Sequence, residues 1–476
     1  MTHRLYRSIA GCAQRFRSSL PRARAIQHAR LRSILERNAA SDYGRRYGFA
    51  SIASTDAYRD RVPVVRYDDL LESIGRMERG EPNVLVAESL VAFEETGGST
   101  AGPKLIPYTK ALLDAFRRAL LPWLDDLANA YPSISRGRAY WSISPAGRAQ
   151  RKTGGGSLIG FSSDAAYFGD ALAPLVLETL AVPPEVGAFE DLARWREVTC
   201  RHLDACKDLA LISVWSPTFL FELLDETELA AKPLAVLSCW DQASSRPYAD
   251  VLRRRLPGVR LQGKGLLATE GVVTIPLEGL PMPVLAIDSG YFEFRDEAGR
   301  CLEASDVVVG SEYETLMTTE GGLYRYAIGD RVRVCGFAGE APMLEFLGRG
   351  DSSVDLCGEK LTEAFVLSAL APFKLGFSLL APVRAPGTGY ALYLDAAEIS
   401  RENSLRIAHA ADRSLEQNPQ YAHARRLGQL AALTPVRCVR PLETWTRERL
   451  ACQQLGDIKP PVLSGDSGWT ARFALI

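Results

Sequence analysis

Between residues 139 and 255, apolar runs of strand length alternate with amphipathic runs of helix length. This alternation restricts the fold more than any other part of the 476-residue chain. Strands are expected at Ala139–Ser144, Leu209–Trp215 and Leu234–Cys239, and helices at 171–180, 189–206, 218–225 and 246–255. Strands separated by helices pair in parallel, with the helices packed on the sheet faces, so this stretch predicts an α/β unit. Helical periodicity also covers 4–40, with Leu5, Ile9, Cys12 and Phe16 followed by Ile26, Leu31, Ile34 and Leu35. Short helices are expected over 54–78, around an extended, proline-held Val62-Pro63-Val64-Val65, and 111–127 is amphipathic. From about 263 to 348, short β-rich runs predict antiparallel sheet or a small barrel; Leu323–Tyr326 is one of those runs. A strand–helix unit over 353–370, a strand at Tyr390–Leu394 and helices at 400–417 and 419–428 predict a separate α+β domain. The expected domains are 1–348 and 349–476.

Bulk properties exclude several classes. The net charge of −1 gives no reason to expect nucleic acid or an anionic membrane as partner, and no apolar run approaches the roughly 20 residues of a membrane span. Nine dispersed cysteines without a C-x-x-C pair suggest reduced thiols and a cytoplasmic protein. Five histidines, none spaced for metal, disfavour a zinc site or a Ser-His-Asp hydrolase. The arginine-rich stretch 4–46 has the composition of a transit peptide, yet it runs without a break into Tyr43-Gly44-Arg45-Arg46-Tyr47-Gly48-Phe49. Its arginines are therefore expected on the solvated face of two opening helices.

Residues 96–104 read Thr-Gly-Gly-Ser-Thr-Ala-Gly-Pro-Lys and follow the apolar run Val84–Phe93. Glycines let a backbone close on an anion, and hydroxyls and amides supply donors, so a phosphate loop competes here with a plain surface turn. A Walker loop is ruled out: Pro103 intervenes before Lys104, and Leu105 stands where a magnesium-binding hydroxyl is required. Further along, Thr269-Glu270 offers a hydroxyl to phosphate and a carboxylate to Mg2+, or is an exposed turn. Asp330, after Gly329, is a ribose-hydroxyl acceptor or a turn cap. Arg349, in Gly348-Arg349-Gly350-Asp351, marks a hinge or a linker. Lys459 lies in a proline-held loop and is either a phosphate ligand or a solvated charge.

In this order the motifs resemble the adenylate-forming superfamily. Thr96–Lys104 is similar to its T-S-G-T-T-G-x-P-K loop, Ala268-Thr269-Glu270 to x-T-E, Tyr326–Asp330 to Y-x-x-G-D, and Gly348–Leu361 to its hinge motif. The flanks Asp60–Leu70, Lys104–Thr109, Tyr324-Arg325-Tyr326, Gly358–Glu363, Asn418-Pro419-x-Tyr421-x-x-x-Arg425 and Lys459-x-Pro461 resemble the acyl-acid amido synthetases, the auxin-responsive Gretchen Hagen family, over roughly residues 30–465. The resemblance implies an α/β fold: a large N-terminal adenylate-forming domain (a β-barrel plus two α/β sheets) and a smaller, mobile α+β C-terminal domain. It implies ATP and Mg2+, a small carboxylic acid and an amine or amino acid as partners, and a monomer or weak dimer. Thr96, Gly98, Ser99 and Thr100 would contact phosphate, Thr269 the α-phosphate, and Glu270 the metal. Tyr326 would line the nucleotide site, Asp330 would bind ribose, and Arg349 would sit at ribose and hinge. Lys459 would reach the α-phosphate or the acyl oxygen. Trp215, Cys239, Trp240 and Tyr167 are candidate walls of the acyl pocket. The chain departs from the family pattern at Gly97, at Leu266 or Leu267 in place of an adenine-stacking aromatic, at Ala327 in place of a basic residue, and at Val462 in place of an arginine. Two other outcomes stay open: transfer of the acyl group to a thiol, as in a CoA or carrier-protein ligase, or a non-catalytic binding protein.

Overall fold

The alternating region forms a four-stranded parallel sheet in the order Arg138–Trp141, Leu209–Ser213, Val236–Cys239, Arg260–Gly263. These coordinates are a computed structural model, which describes residues 3–96, 104–141, 151–161, 164–350, 353–383, 387–450, 453 and 455–476. Leu209–Ser213 and Val236–Cys239 are buried at every position, as expected of strands covered on both faces. The β-rich region forms a seven-stranded sheet whose described pairings are antiparallel, in the order Thr274–Ile275, Val284–Leu285, Ala341–Arg349, Tyr326–Ala338, Glu312–Thr318, Tyr291–Arg295, Cys301–Glu303.

The chain forms two compact units. One holds residues 1–215, 221–239 and 258–346; the other holds 216–220, 240–257 and 347–476. In the second, strands Ser378–Val383, Gly389–Asp395, Thr434–Val439 and Ala474–Leu475 make a mixed sheet. Helices Glu363–Leu370, Arg401–Leu415 and Pro419–Arg426 contribute Val366, Ala408, Leu415 and Tyr421 to the same core as Leu380 and Leu392. Three of these strands, Ser378–Val383, Thr434–Val439 and the two-residue Ala474–Leu475, escape the sequence pattern. Ser378–Val383 is an unbroken buried run without alternation, and Thr434–Val439 carries Pro435, which weakens a strand assignment. The motifs at 358–363 and 418–425 turn out to tie this unit together. The Asn418 amide donates to the Glu359 carbonyl (2.8 Å), while Tyr421 Oη (2.6 Å) and Arg425 (2.9 Å) both donate to Asp412.

Three helices open the first unit, Arg4–Ile9, Cys12–Ser19 and Ala23–Asn38, and their arginines are not merely solvated. Arg17 pairs with Asp126 at 2.7 Å. Arg30 and Arg37 reach the fully buried carboxylate of Glu320 at 3.4 and 3.1 Å, and Arg118 joins at 3.6 Å. Arg17 and Arg30 are half-buried and pair inside the fold, while Arg4, Arg7, Arg15, Arg22, Arg24 and Arg32 are exposed, as expected of a solvated face. Tyr43-Gly44-x-x-Tyr47-x-Phe49 is ordered as expected: Tyr43 stacks on Tyr324 with centroids 5.0 Å apart. A β-carbon at Gly44 would stand 2.1 Å from the Asn38 carbonyl oxygen, so only glycine fits there.

The expected strand Leu323–Tyr326 begins instead at Tyr326, because Arg325 is left-handed at φ 48°. Its backbone and guanidinium explain this. Arg325 Nη1 donates to the carbonyls of Arg59 (2.9 Å) and Val62 (2.8 Å), and Nε donates to Glu293 (2.9 Å). Val65 N donates to the Arg325 carbonyl (3.2 Å), and Ala327 N donates to the Val65 carbonyl (2.8 Å). The proline-held Val62–Val65 segment is thereby strapped along the start of the Tyr326 strand. Glu293 is 1% exposed and also accepts from Arg59 Nε at 3.0 Å. Removing one partner from such a buried pair strands a charge. Glu293→Gln is expected to lower unfolding free energy by about 3–5 kcal/mol. Glu297→Gln, which breaks the more exposed pair with Arg331 (3.3 Å), should change it by less than about 1 kcal/mol, both measured by chemical denaturation.

Candidate active site

Thr96 and Lys104 form the two arms of the glycine/hydroxyl loop. Thr96 N donates to the Lys104 carbonyl (2.9 Å), and Lys104 N donates to Thr96 Oγ1 (3.3 Å). They continue the antiparallel pairing of Leu90–Glu95 with Leu105–Thr109, so the loop joins two strands, and the helix Lys110–Ala130 follows only after the second. Gly98, Ser99 and Thr100, like Gly97, lie outside the described residues. The Thr96 hydroxyl keeps its own proton free to donate. Next to the arms, Leu105 N donates to Tyr67 Oη at 2.8 Å, and the Lys104 ammonium lies 5.4 Å from the Tyr67 ring centroid.

Thr269 and Glu270 are the two-residue turn of a tight hairpin, since Ala268 pairs with Gly271 and Leu267 with Val272. Tyr108 Oη donates to the Thr269 carbonyl, which fixes the turn against the strand that follows the loop. Burial holds the Tyr108 phenol well above its ordinary pKa, and the charges of Glu94 and Glu270 push the same way, so the donor stays protonated. Burial likewise raises the Tyr67 phenol, with Glu270 adding to the effect. Glu270 is therefore electrostatically coupled to both tyrosines that fix the loop and the hairpin. It is not an exposed turn carboxylate: its exposure is 5%.

Tyr326 is buried, pairs with Met317 and bridges Val65. Two residues further on, the strand bulges. Leu316 faces Ala327 and Glu314 faces Arg331, so Ile328, Gly329 and Asp330 together stand opposite the single residue Thr315. Gly329 takes φ 86°, which glycine adopts without strain. Asp330 thus sits on a bulge inside a 13-residue strand and does not cap a turn. Bulges re-aim side chains beside active sites. Ala327 is buried opposite Leu316, so a basic side chain there would carry a charge into a buried position. Leu266 is buried too, its N–H donating to Thr274 Oγ1 at 2.7 Å.

In the second unit, Arg349 ends the strand Ala341–Arg349 and is exposed. Lys459 is half-buried, its ammonium 5.9 Å from the Trp240 ring centroid. The loop before it docks on Ser216–Thr218: Ser216 N donates to the Gly456 carbonyl (3.3 Å), and Thr218 Oγ1 donates to the Ile458 carbonyl (3.4 Å). Val462 is a core residue of this unit, so an arginine there would bury a charge.

Each candidate acyl-pocket residue has its own immediate neighbours. Trp240 accompanies Lys459. Tyr167 joins Tyr108, Phe116 and Phe161, with ring centroids 5.3–5.9 Å apart. Trp215 and Cys239 surround Lys264, which follows the strand Arg260–Gly263 and has no role in the sequence reading. Lys264 Nζ donates to Ser213 Oγ (2.7 Å) and lies 4.9 Å from the Trp215 centroid and 5.3 Å from that of Trp123. Burial lowers its pKa to about 8, against smaller upward effects from Cys239 and Asp164. The signal for it was a lysine between two glycines directly after a strand-like run.

Comparison with known proteins places this geometry. The pattern of the GH3 family N-terminal domain matches residues 12–235, and that of the GH3 family central domain matches 283–349. The chain is 25% identical to a probable indole-3-acetic acid-amido synthetase GH3.1 of Arabidopsis thaliana, over 75% of this chain and 72% of that protein. It is also 25% identical to a probable indole-3-acetic acid-amido synthetase GH3.2 of Oryza sativa subsp. japonica, over 79% and 73%. Its fold is similar to that of the GH3.15 acyl acid amido synthetase solved in complex with 2,4-DB, at TM-score 0.85, 18% identity and 97% and 96% coverage. A 2-hydroxyisobutyryl-CoA ligase solved in its postadenylation state superposes at TM-score 0.60, with 16% identity over 94% and 91%.

The Lys264 pKa has a stability consequence of definite sign. Below pH 8 both folded and unfolded chains carry its proton; between about 8 and the ordinary 10.5 only the unfolded chain does. Stability therefore rises with pH across that window, by up to about 3 kcal/mol. The difference between wild type and Lys264→Met in denaturation free energy, measured from pH 7 to 10.5, is expected to grow in favour of wild type.

Proposed function

We propose, on the premise that this chain belongs to the GH3 family, that it is an ATP-dependent acyl-acid amido synthetase. A carboxylate oxygen attacks the α-phosphorus of ATP and pyrophosphate leaves, giving an acyl-adenylate. An amine, of an amino acid in the leading reading, then attacks the acyl carbon; AMP leaves with the bridging oxygen and the amine loses a proton.

One observation carries this reading. The Val62–Tyr67 segment bridges Tyr326 through Val65 and bonds Leu105 through Tyr67, while Tyr108 bonds Thr269. Three motif segments that are distant in sequence are thus tied to one another inside one unit. No side-chain nucleophile is required: the chemistry is positioning, plus neutralisation of charge that grows at phosphorus. Thr96, with Gly98, Ser99 and Thr100, is assigned to the phosphates, and Thr269 to the α-phosphate. Asp330, on its bulge, accepts from the ribose hydroxyls, and Tyr326 and Arg349 complete the nucleotide contacts. Lys459 supplies the positive charge to the α-phosphate or acyl oxygen during adenylation.

Glu270 fits Mg2+. It is a single buried carboxylate beside a threonine hydroxyl, and magnesium takes one or two carboxylates together with phosphate oxygens. When bound, the ion supplies neutralisation of the phosphate oxygens. Glu270 fixes where that charge stands, and the protonated Tyr108 fixes the turn that carries it. We place the enzyme in the cytoplasm, consistent with eight cysteines that are free thiols among the described residues.

The test is pyrophosphate release with a panel of carboxylic acids, followed by mass spectrometry of products formed with amino acids and with CoA. An amide product is expected; a thioester without amide moves the assignment to a thiol ligase. Glu270→Ala is expected to lower acid-dependent pyrophosphate release by at least about 100-fold, as for loss of a positioned transition-state group. Lys459→Ala should slow release by a similar factor while the Kd for ATP changes less than about threefold. An unchanged rate removes that lysine from the mechanism.

A further inference from the structure

Lys264 is a buried cation that the adenylation chemistry does not use. Among the described residues it forms no ion pair within salt-bridge distance, and its hydrogen bond goes to a neutral hydroxyl, Ser213 Oγ. An ammonium has three donors, so two remain to be filled, and the flanking indoles of Trp123 and Trp215 stabilise the charge without consuming them. Its location is informative. Ser213, Cys239 and Gly263 are the last residues of three adjacent parallel strands, and Lys264 follows directly. Ligands of open α/β sheets bind outside the carboxyl ends of the strands.

The helix Lys110–Ala130 connects this point to the chemistry. Phe116 lies 5.7 Å from Tyr108, whose hydroxyl holds the Thr269 carbonyl, and 5.3 Å from Tyr167. Trp123 is seven residues on, hence on the same face and about 10 Å further along the helix axis. A row of aromatic rings therefore runs from the Thr269–Glu270 turn to Lys264. Along it Phe161, Tyr167 and Trp215 are only half-buried and keep ring surface for a ligand.

We propose that Lys264 reads the far end of the acid substrate. The acid activated beside Thr269 carries a second anionic oxygen, a carboxylate or phenolate, about 10 Å away along the helix axis, and this group pairs with the Lys264 ammonium. The spacer between the two ends lies on the aromatic row. The ammonium makes no reacting contact, so Lys264 is a specificity-determining residue. This inference rests on the adenylation reading. The lowered pKa agrees with it, because a counter-charge arriving in the site restores the protonated form.

The experiment compares matched acids in pyrophosphate release: octanoate against octanedioate, and 4-phenylbutanoate against its 4-carboxyphenyl and 4-hydroxyphenyl analogues, the last two separating carboxylate from phenol. Wild type should favour acids with the second oxygen by about 10- to 100-fold in kcat/KM, the range of a charged hydrogen bond. Lys264→Met should lose or invert that preference while remaining as stable as wild type at pH 7, where a lysine with a merely structural role would leave it destabilised. A wild-type preference for the plain acids, or an unchanged ratio in Lys264→Met, overturns the proposal. If Lys264→Met does not fold, the wild-type ratio decides alone. If no acid releases pyrophosphate, calorimetric binding of octanedioate and octanoate to both proteins decides. Lysine-dependent binding of the diacid then keeps the site while the adenylation reading falls, and equal binding removes the site as well.

Discussion

The buried pair of Arg325 with Glu293 is the interaction on which the organisation of the site depends. Arg325 occupies a left-handed backbone conformation that a non-glycine residue avoids, at a cost of about 1 kcal/mol or more. Its guanidinium over-determines that conformation by bonding Glu293 and two backbone carbonyls at once. The strand carrying Tyr326 and Asp330 starts immediately afterwards, and the Val62–Val65 strap is held along it. Tyr67, two residues beyond the strap, reaches the arm of the glycine-rich loop. One charge pair thereby sets the relative positions of segments that the sequence spreads over more than 250 residues.

Much of this was legible in the sequence, for reasons that can be stated. The parallel sheet was readable because its central strands are short, largely apolar and spaced by helical patterns, as at Leu209–Ser213 and Val236–Cys239. The positions of Thr269, Glu270 and Asp330 were readable as motifs. Their geometry was not. The bulge at Ile328–Asp330 exists only in the pairing with Glu312–Thr318, and no local pattern in one strand encodes its partner's register. The fates of the amino-terminal arginines were hidden for the same reason, since Asp126, Asp288 and Glu320 lie far along the chain. Lys264 carried no role in the sequence reading, because the contacts that bury it come from elsewhere in the chain. Its burial is made by Trp123 and Trp215 from two other segments.

The departures from the family pattern take on a physical meaning. Ala327, Leu266 or Leu267, and Val462 stand where aromatic or basic side chains are usual; Ala327, Leu266 and Val462 are buried here and Leu267 is half-buried. Each is an apolar residue in an apolar place, so these substitutions adjust packing and leave the carboxylates at 270 and 330 and the lysine at 459 in place.

The claim that this fold activates a carboxylate as its adenylate is tested most directly by following oxygen. With a substrate acid labelled with 18O in its carboxylate, ATP and an amino acid, the account predicts one 18O atom in the released AMP and none in pyrophosphate. Label appearing in inorganic phosphate with formation of ADP, or AMP released without label, contradicts it.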